Sequence, residues 1–461
     1  MNKNLIALLA ALLLAGCGST PVVEPKPLAS LPASFKEAPN SVASTDKAVT
    51  LPQPEWWRVF SDSVLNDLEQ RARLNNTTVQ QAAARLDQAR ALKRNVDANR
   101  ALQLGAAAGV SRQGGPLINA AGGDGTLINT SLNLSYEADL FGRLSDLSQA
   151  SLRDEKASEA LLQSAQLVVQ AEVAQTYFSL RGIDSELAVV RSSLQAHKEL
   201  LQLTERSFRS GLTTEVNVER VQVALELADS DRLTLLRQRS QLESALAVLI
   251  GEAASSFSLA ELELNATLPV IPAGIPSQLL TRRPDVIAAQ QSMLASHSRL
   301  GAAKAAWFPS LSLTASTGYA SPDLATLFTT STYQWAIGGL MALPIFDGGR
   351  RDAAVKGASA ETDLALATYR EHILIAFKDV EDQLSSLRIL KEQAEVQKRA
   401  QNAALRMVKL SDSRFRSGLS SRLDLLDARQ SELQTQRRTQ QVRTAQYQVT
   451  VGLVKALGGS W

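Results

Sequence analysis

Two periodicities alternate along this chain. Over residues 64–99, and again over 278–307, apolar side chains recur at helical spacing. Each stretch is followed by a pair of segments with a period of two. Leu102, Leu104, Ala106, Ala108 and Val110 alternate with Gln103, Gly105, Ala107, Gly109 and Ser111. Ile128, Thr130, Leu132, Leu134 and Tyr136 alternate with Asn129, Ser131, Asn133 and Ser135. The later pair sets Leu311, Leu313, Ala315, Thr317 and Tyr319 against Ser310, Ser312, Thr314, Ser316 and Gly318, and puts Tyr333, Trp335, Ile337, Met341 and Leu343 on one face of its partner. Such alternation predicts β-hairpins over 101–137 and 309–344, with loops such as 113–125 and 320–332 between the strands.

A long helical pattern follows each hairpin. Residues 144–208 hold no proline and one glycine, Gly182. At ~1.5 Å per residue, a helix of that length spans on the order of 95 Å. Leu180, Ile183, Leu187, Val190, Leu194, His197, Leu201, Thr204 and Phe208 keep the three-four spacing of a coiled-coil seam. Ile373, Phe377, Val380, Leu384 and Leu387 repeat it within 352–415. After a short turn each pattern returns along another long helix, to Ile250 and to Leu457.

The two halves are copies. Phe208-Arg209-Ser210-Gly211-Leu212 recurs as Phe415-Arg416-Ser417-Gly418-Leu419, an offset of 207 residues. The same offset maps Gly142-Arg143 onto Gly349-Arg350, and 246–251 onto 453–458. Three matches in one register indicate duplication of a single unit. The expected organisation is a first repeat over 56–251 (long helices 143–250), a linker over 252–276, and a second repeat over 277–461 (long helices 350–457). Pro284-Asp285 fits a helix start, with proline in the first turn and an acid at the positive end of the dipole; Thr281-Arg282-Arg283 before it reads as a structural corner.

The beginning of the chain adds an address. Lys3 precedes an apolar run and the sequence Leu14-Ala15-Gly16-Cys17, the order of a secretory signal over 1–16. The run is about 10–12 residues, short of the ~20 of a spanning helix. Cys17 is the only cysteine, so no intrachain disulfide can form. Its setting resembles the lipobox of bacterial lipoproteins, which implies a covalent lipid on the Cys17 thiol. Gly18 stands where an aspartate would retain an enterobacterial-type lipoprotein at the inner membrane, so outer-membrane delivery is expected. The Pro-, Ser- and Ala-rich stretch within 17–55 reads as a tether.

Composition supports rods more than a large globular core. Aromatics make up 5% and net charge is +2, with no basic stripe for nucleic acid. Strands of about ten residues have the length of transmembrane β-strands. A soluble hairpin packed on its own helices would show the same pattern. The small, uncharged opposite faces suit a wet lumen, with Tyr136, Tyr319, Tyr333 and Trp335 as interfacial girdles. If these strands span, four cannot close a barrel, and three copies would supply about twelve.

Thr281-Arg282-Arg283-Pro284-Asp285, the run from Gly301 to Leu313, Tyr136 to Arg143, Pro344 to Arg350 and the ending Leu457-Gly458-Gly459-Ser460-Trp461 together resemble the TolC-like outer-membrane efflux factors. With the lipobox, the likeness is to the lipoprotein (NodT/OprM-type) branch serving resistance–nodulation–division (RND) pumps. The resemblance covers about 56–461, with Ser460 where glycine is usual. It implies a mainly α fold with a small β part: a homotrimer whose twelve-stranded outer-membrane barrel continues as a periplasmic α-helical barrel. It implies an equatorial collar that includes 252–276, a periplasmic adaptor (membrane fusion) protein and an inner-membrane RND transporter as partners, and contact with outer-membrane lipid. It gives roles to residues as well. The tips Arg209, Ser210, Gly211, Leu212 and Arg416, Ser417, Gly418, Leu419 would meet the adaptor, and Leu423 and Asp427, with Arg422 and Asp424, would form the periplasmic gate. The first copy has Val216 and Arg220 at the matching offset, and Arg422 replaces an aromatic found in some relatives.

No catalytic constellation is expected. His197, His297 and His372 are isolated on helical patterns, no ligand cluster suggests a metal or other cofactor, and no phosphate-binding glycine motif appears. The function expected is a passive exit duct for small molecules such as drugs, opened by its partners. A channel for type I protein secretion, and a periplasmic coiled-coil scaffold lipoprotein, remain the alternatives. The cargo cannot be read from these residues.

Overall fold

A computed structural model describes residues 34–37, 55–113, 125–272 and 279–459. The signal, Cys17, nearly all of the tether, the 114–124 loop and the end of the linker lie outside them. The described elements are α1 (Ser63–Asn75), α2 (Thr77–Ala98), β1 (Gln103–Gln113), β2 (Gly125–Ala138), α3 (Arg143–Arg209), α4 (Glu215–Leu249), α5 (Leu279–Arg282), α6 (Pro284–Ala305), β3 (Ser310–Ser321), β4 (Tyr333–Ala342), α7 (Arg350–Arg416) and α8 (Arg422–Ala456). The fold class expected from the duplicated pattern, mainly α with a small β part, is the one found.

The repeat is carried into coordinates at the same offset. Helices α3 and α7 have 67 residues each, and α4 and α8 have 35. Glycines with positive φ pair up as Gly142 with Gly349, Gly211 with Gly418, and Gly251 with Gly458.

One expectation needs correction. The helix predicted over 64–99 is two helices, because Asn76 takes an extended backbone and ends α1. Its side-chain oxygen accepts from the N–H groups of Thr78 and Val79, at 2.9 and 3.1 Å, and so starts α2 as a capping residue. Its amide nitrogen donates to the Leu249 carbonyl at the end of α4. The stretch predicted over 278–307 breaks at the equivalent place, Arg283, before Pro284.

The chain forms two compact units, each drawing segments from both repeats. The first consists, among described residues, of Ala84–Ala160 and Ala288–Glu371. It holds one antiparallel sheet in the order β1-β2-β3-β4. Register decides the faces. Leu104 pairs with Leu134, Leu134 with Ala315, and Ala315 with Ile337, so these four share one side. Tyr319 faces Tyr333 on that side, while Gly105, Asn133, Ser316 and Ala336 line the other. All four apolar faces read from the sequence therefore coincide; they are exposed on β1 and β4, with Ile337 79% accessible, and mostly half-buried on β2 and β3. Beneath the sheet, α3 and α6 pack through small residues. Ala150 and Ala157, and Ala288, Ala295 and Ala302, are buried at seven-residue spacing. Arg299 pairs with Asp154, and Arg153 donates to Gln291.

The second unit consists, among described residues, of stretches within Ser30–Ala83, Leu161–Ile287 and His372–Trp461. Its core is aromatic: Phe178 stacks on Tyr447 at 4.8 Å and meets Phe60 at 4.8 Å. Asp62 caps α1 through one carboxylate oxygen and accepts from the Tyr177 hydroxyl, at 2.7 Å, through the other. The α3 seam is buried at Leu180, Leu187, Val190, His197 and Thr204, but Phe208 at its end is exposed. Gly182, the single interruption in that helix, lies where a Cβ would fall 2.3 Å from Thr444 Oγ1 on α8. The glycine lets the two helices approach.

One polar group stands apart. Glu69 is fully buried, and neither carboxylate oxygen has a partner among the described residues; nor has Asn66 Oδ1 one turn away. Burial pushes the Glu69 carboxyl well above its ordinary range. The folded state thus holds this proton more tightly than the unfolded chain. That contribution to stability is complete below the unfolded value and is lost as pH rises through the folded one.

Two predictions follow from this packing. Glu69→Gln, whose amide can donate to Asn66 Oδ1, should raise thermal stability in detergent at neutral pH by about 1 kcal/mol and flatten its pH dependence. Gly182→Val should lower it by about 1–3 kcal/mol through overpacking against Thr444, read as a drop in Tm.

Candidate functional sites at the hairpin tips and the linker

The first tip is a helix end closed by glycine. Gly211 has φ 71°, so the Leu212 N–H reaches back to the Ser207 carbonyl at 2.9 Å and the Gly211 N–H to Phe208. The second tip repeats this at Gly418, φ 72°, with Leu419 donating to Arg414 at 2.9 Å. Ser210 and Ser417 each donate to a carbonyl four residues back. The turn chemistry leaves Arg209 and Arg416 exposed and turns the leucines outward, Leu212 being 81% accessible. Arg416 pairs with Asp412 at 2.8 Å.

Residues flanking the two tips meet at one cavity of about 320 Å³, which Leu212 lines but Arg416 to Leu419 do not. Leu212, Thr213 and Asn217 of the first tip and Phe415, Ser420 and Ser421 of the second contribute to its wall. The Ser420 hydroxyl oxygen is buried there without a partner among the described residues. The spacing of the tips along the chain gives no hint of this meeting.

The two returning helices start differently. Ser421 and Asp424 close a reciprocal capping box: the Asp424 N–H donates to Ser421 Oγ, and the Ser421 N–H donates to Asp424 Oδ2 at 2.8 Å. Thr214, at the matching place on α4, makes no side-chain cap. Asp424 is therefore committed to starting α8. Asp427 is exposed on the same helix, while Leu425, Leu426 and Ala428 are buried; Leu426 packs with Leu200, Val221 and Ala224. The side chains of Arg422 and Leu423 lie outside the described residues. Val216 and Arg220 are exposed on α4.

The linker is clamped by charges that pattern reading missed. Buried Asp184 accepts from Arg181 at 3.0 Å, from Arg239 at 2.7 Å and from the Leu262 N–H at 3.2 Å. Arg181 also donates to the Ala260 carbonyl, and Arg239 to that of Leu259. The Leu264 N–H donates to Ser185 Oγ, and Tyr447 donates to the Ala266 carbonyl. The available signal was three charges on otherwise seam-bearing helices. The corner at Arg283 is also ionic: it pairs with Asp285 and Asp379 and lies against the Ala456 carbonyl. Burial works against ionising Asp285, yet the Arg283 guanidinium holds that carboxyl below its ordinary range.

Among the described residues no group of three or more His, Cys, Asp or Glu is placed to hold a metal. Buried His197 has an unpartnered Nδ1, and burial followed by the charge of Arg429 pushes its pKa down.

The outer membrane efflux protein family matches twice, over residues 68–252 and 275–459. The second match starts and ends 207 residues after the first, since 275 − 68 and 459 − 252 are both 207. The chain belongs to the outer membrane efflux protein family. It is 32% identical to the probable efflux pump outer membrane protein TtgC of Pseudomonas putida, over 100% of this chain and 96% of that one. It is 29% identical to the cation efflux system protein CusC of Escherichia coli, over 99% of each. A solved structure of the outer-membrane channel OprN superimposes with a TM-score of 0.87 at 28% identity, over 95% of this chain and 99% of that one. This efflux protein is an outer-membrane channel component of an efflux system in a Gram-negative bacterium, and its family is one of transport ducts.

The linker clamp gives a test. Asp184→Ala would leave two buried guanidiniums without their carboxylate, a loss of about 3–5 kcal/mol. The linker should then become cleavable at Glu261 and Glu263 by a glutamate-specific protease under conditions that leave the parent intact.

Proposed function

We propose that three copies of the chain close one barrel in the outer membrane and serve as the passive exit duct for small molecules, drugs among them, in a tripartite pump. One observation carries this reading. The four-stranded sheet offers lipid a continuous apolar face, yet among the described residues nothing pairs with the outer edge of β1 or of β4. Within hydrocarbon an unpaired edge costs several kcal/mol per group. The edge of β4 therefore meets β1 of the next copy. Two copies would give about eight strands, whose interior side chains fill; three give about twelve and a lumen.

The small polar face of the sheet, with Ser312, Thr314 and Ser316, suits that lumen. Cys17 carries the lipid that tethers each copy. The paired tips Arg209 to Leu212 and Arg416 to Leu419, with their shared cavity, are the surface offered to a periplasmic adaptor of an RND transporter, which supplies the energy. Leu423 and Asp427 are four residues apart at the start of α8, just after the second tip, and threefold repetition would make each a ring. The gate assignment rests on these two more than on Asp424, whose carboxylate is held by Ser421. Opening is then a repacking between two arrangements, biased by partner contacts. The relatives' names span an efflux pump and a cation efflux system, which supports a duct whose cargo is chosen upstream.

Replacing Leu423 and Asp427 together by serine should raise single-channel conductance in planar bilayers severalfold. An unchanged conductance would remove the gate assignment.

A further inference from the structure

The loop between β3 and β4 has a composition and a fold that the duct reading does not use. Between Ser321 and Tyr333 it carries a single charge, Asp323, and two large exposed apolar side chains, Leu324 at 70% and Phe328 at 71% accessible. Phe328 is not pointing away from the sheet. Its ring meets Tyr319 edge-on at 5.4 Å, and Tyr319 meets Tyr333 at 5.6 Å. Both tyrosines lie on the apolar face, the side that also carries Ile337 and Leu134. The loop therefore folds over the apolar side of the sheet and extends that surface.

The loop also satisfies its own polar groups. Thr332 donates through Oγ1 to the Leu327 carbonyl at 2.6 Å, Thr329 to that of Thr326 at 2.9 Å, and Thr326 to that of Asp323 at 3.2 Å. The Leu327 and Thr332 N–H groups find the Leu324 and Thr329 carbonyls. Ser321 Oγ, fully buried, shares a hydrogen bond with Thr326 at 2.6 Å and accepts from the Asp323 N–H. Leu327 is buried and anchors the loop from inside. This closure lowers the cost of seating the loop's apolar side chains at the membrane boundary, where water still reaches the remaining polar groups.

We propose that residues 322–332 form a lipid-seated foot, which sets Leu324 and Phe328 among the acyl chains at the membrane boundary and leaves Asp323 at the headgroups. The occupant is lipid because the loop continues the apolar sheet face without a break. The inference rests on that face being the lipid-facing one. It gives each barrel a ring of apolar anchors supplied by one of its two loops per chain.

Nitroxide labels on single introduced cysteines test this in the full-length protein, reconstituted in vesicles of phosphatidylethanolamine and phosphatidylglycerol. Labels would sit at Leu324→Cys, Phe328→Cys, Asp323→Cys and Ile337→Cys, with the unsubstituted protein, whose only cysteine is Cys17, as background. The labels at 324, 328 and 337 should relax severalfold more with oxygen than with a water-soluble nickel chelate, and the label at 323 the reverse. Nickel-accessible labels at 324 and 328, beside an oxygen-accessible 337, would overturn the foot and leave the sheet assignment standing. Nickel accessibility at 337 as well would overturn both. Labels at 324 and 328 shielded from both reagents would mean that a neighbouring protein surface covers the loop, and would equally overturn the proposal.

Discussion

A strand edge that faces hydrocarbon carries a row of N–H and C=O groups for which no solvent exists. In this chain β1 and β4 are both in that position, and the register from Leu104 through Leu134 and Ala315 to Ile337 puts a single apolar face along all four strands. The face asks for lipid and the edges ask for more strands. A second copy of the same chain is the one partner certain to present a matching edge. Closure of the sheet, and with it the existence of a bore, depends on that demand for backbone hydrogen bonds.

Duplication then arranges everything else. Helices of equal length recur 207 residues apart, and so do the positive-φ glycines that end them. Near-identity makes the differences informative. Ser421 caps α8 with a reciprocal partner whereas Thr214 does not cap α4, and Asp427 answers to Arg220. The two tips share a backbone turn while differing in how firmly the next helix is started and in the charge that follows. Three such chains present an even number of alternating, non-identical hairpins, the asymmetry on which the proposed gate draws.

Much of this was legible in the sequence because periodicity and repetition are local. The four apolar strand faces, the three-four seam on α3 as far as Thr204 and the glycine turns at Gly211 and Gly418 follow from the sequence pattern, whereas Phe208 at the end of the seam is exposed. What escaped notice depends on side chains meeting across the fold. Asn76 breaks a helix because its amide bridges two N–H groups and the Leu249 carbonyl, a partner 173 residues away. Asp184 looks like one charge among many until Arg181, Arg239 and the linker converge on it. Glu69 fits a polar helix position, and only packing shows it to be an unpartnered acid. Of the four residues expected at the gate, Asp424 proves to be engaged in capping α8, which the sequence pattern did not reveal.

The most direct measurement is the mass of the intact particle released from mild detergent, by native mass spectrometry. Three chains that separate only on heating is the result required if β4 of each copy pairs with β1 of the next. A single chain, with the amides along β1 and β4 exchanging freely with water, would contradict it.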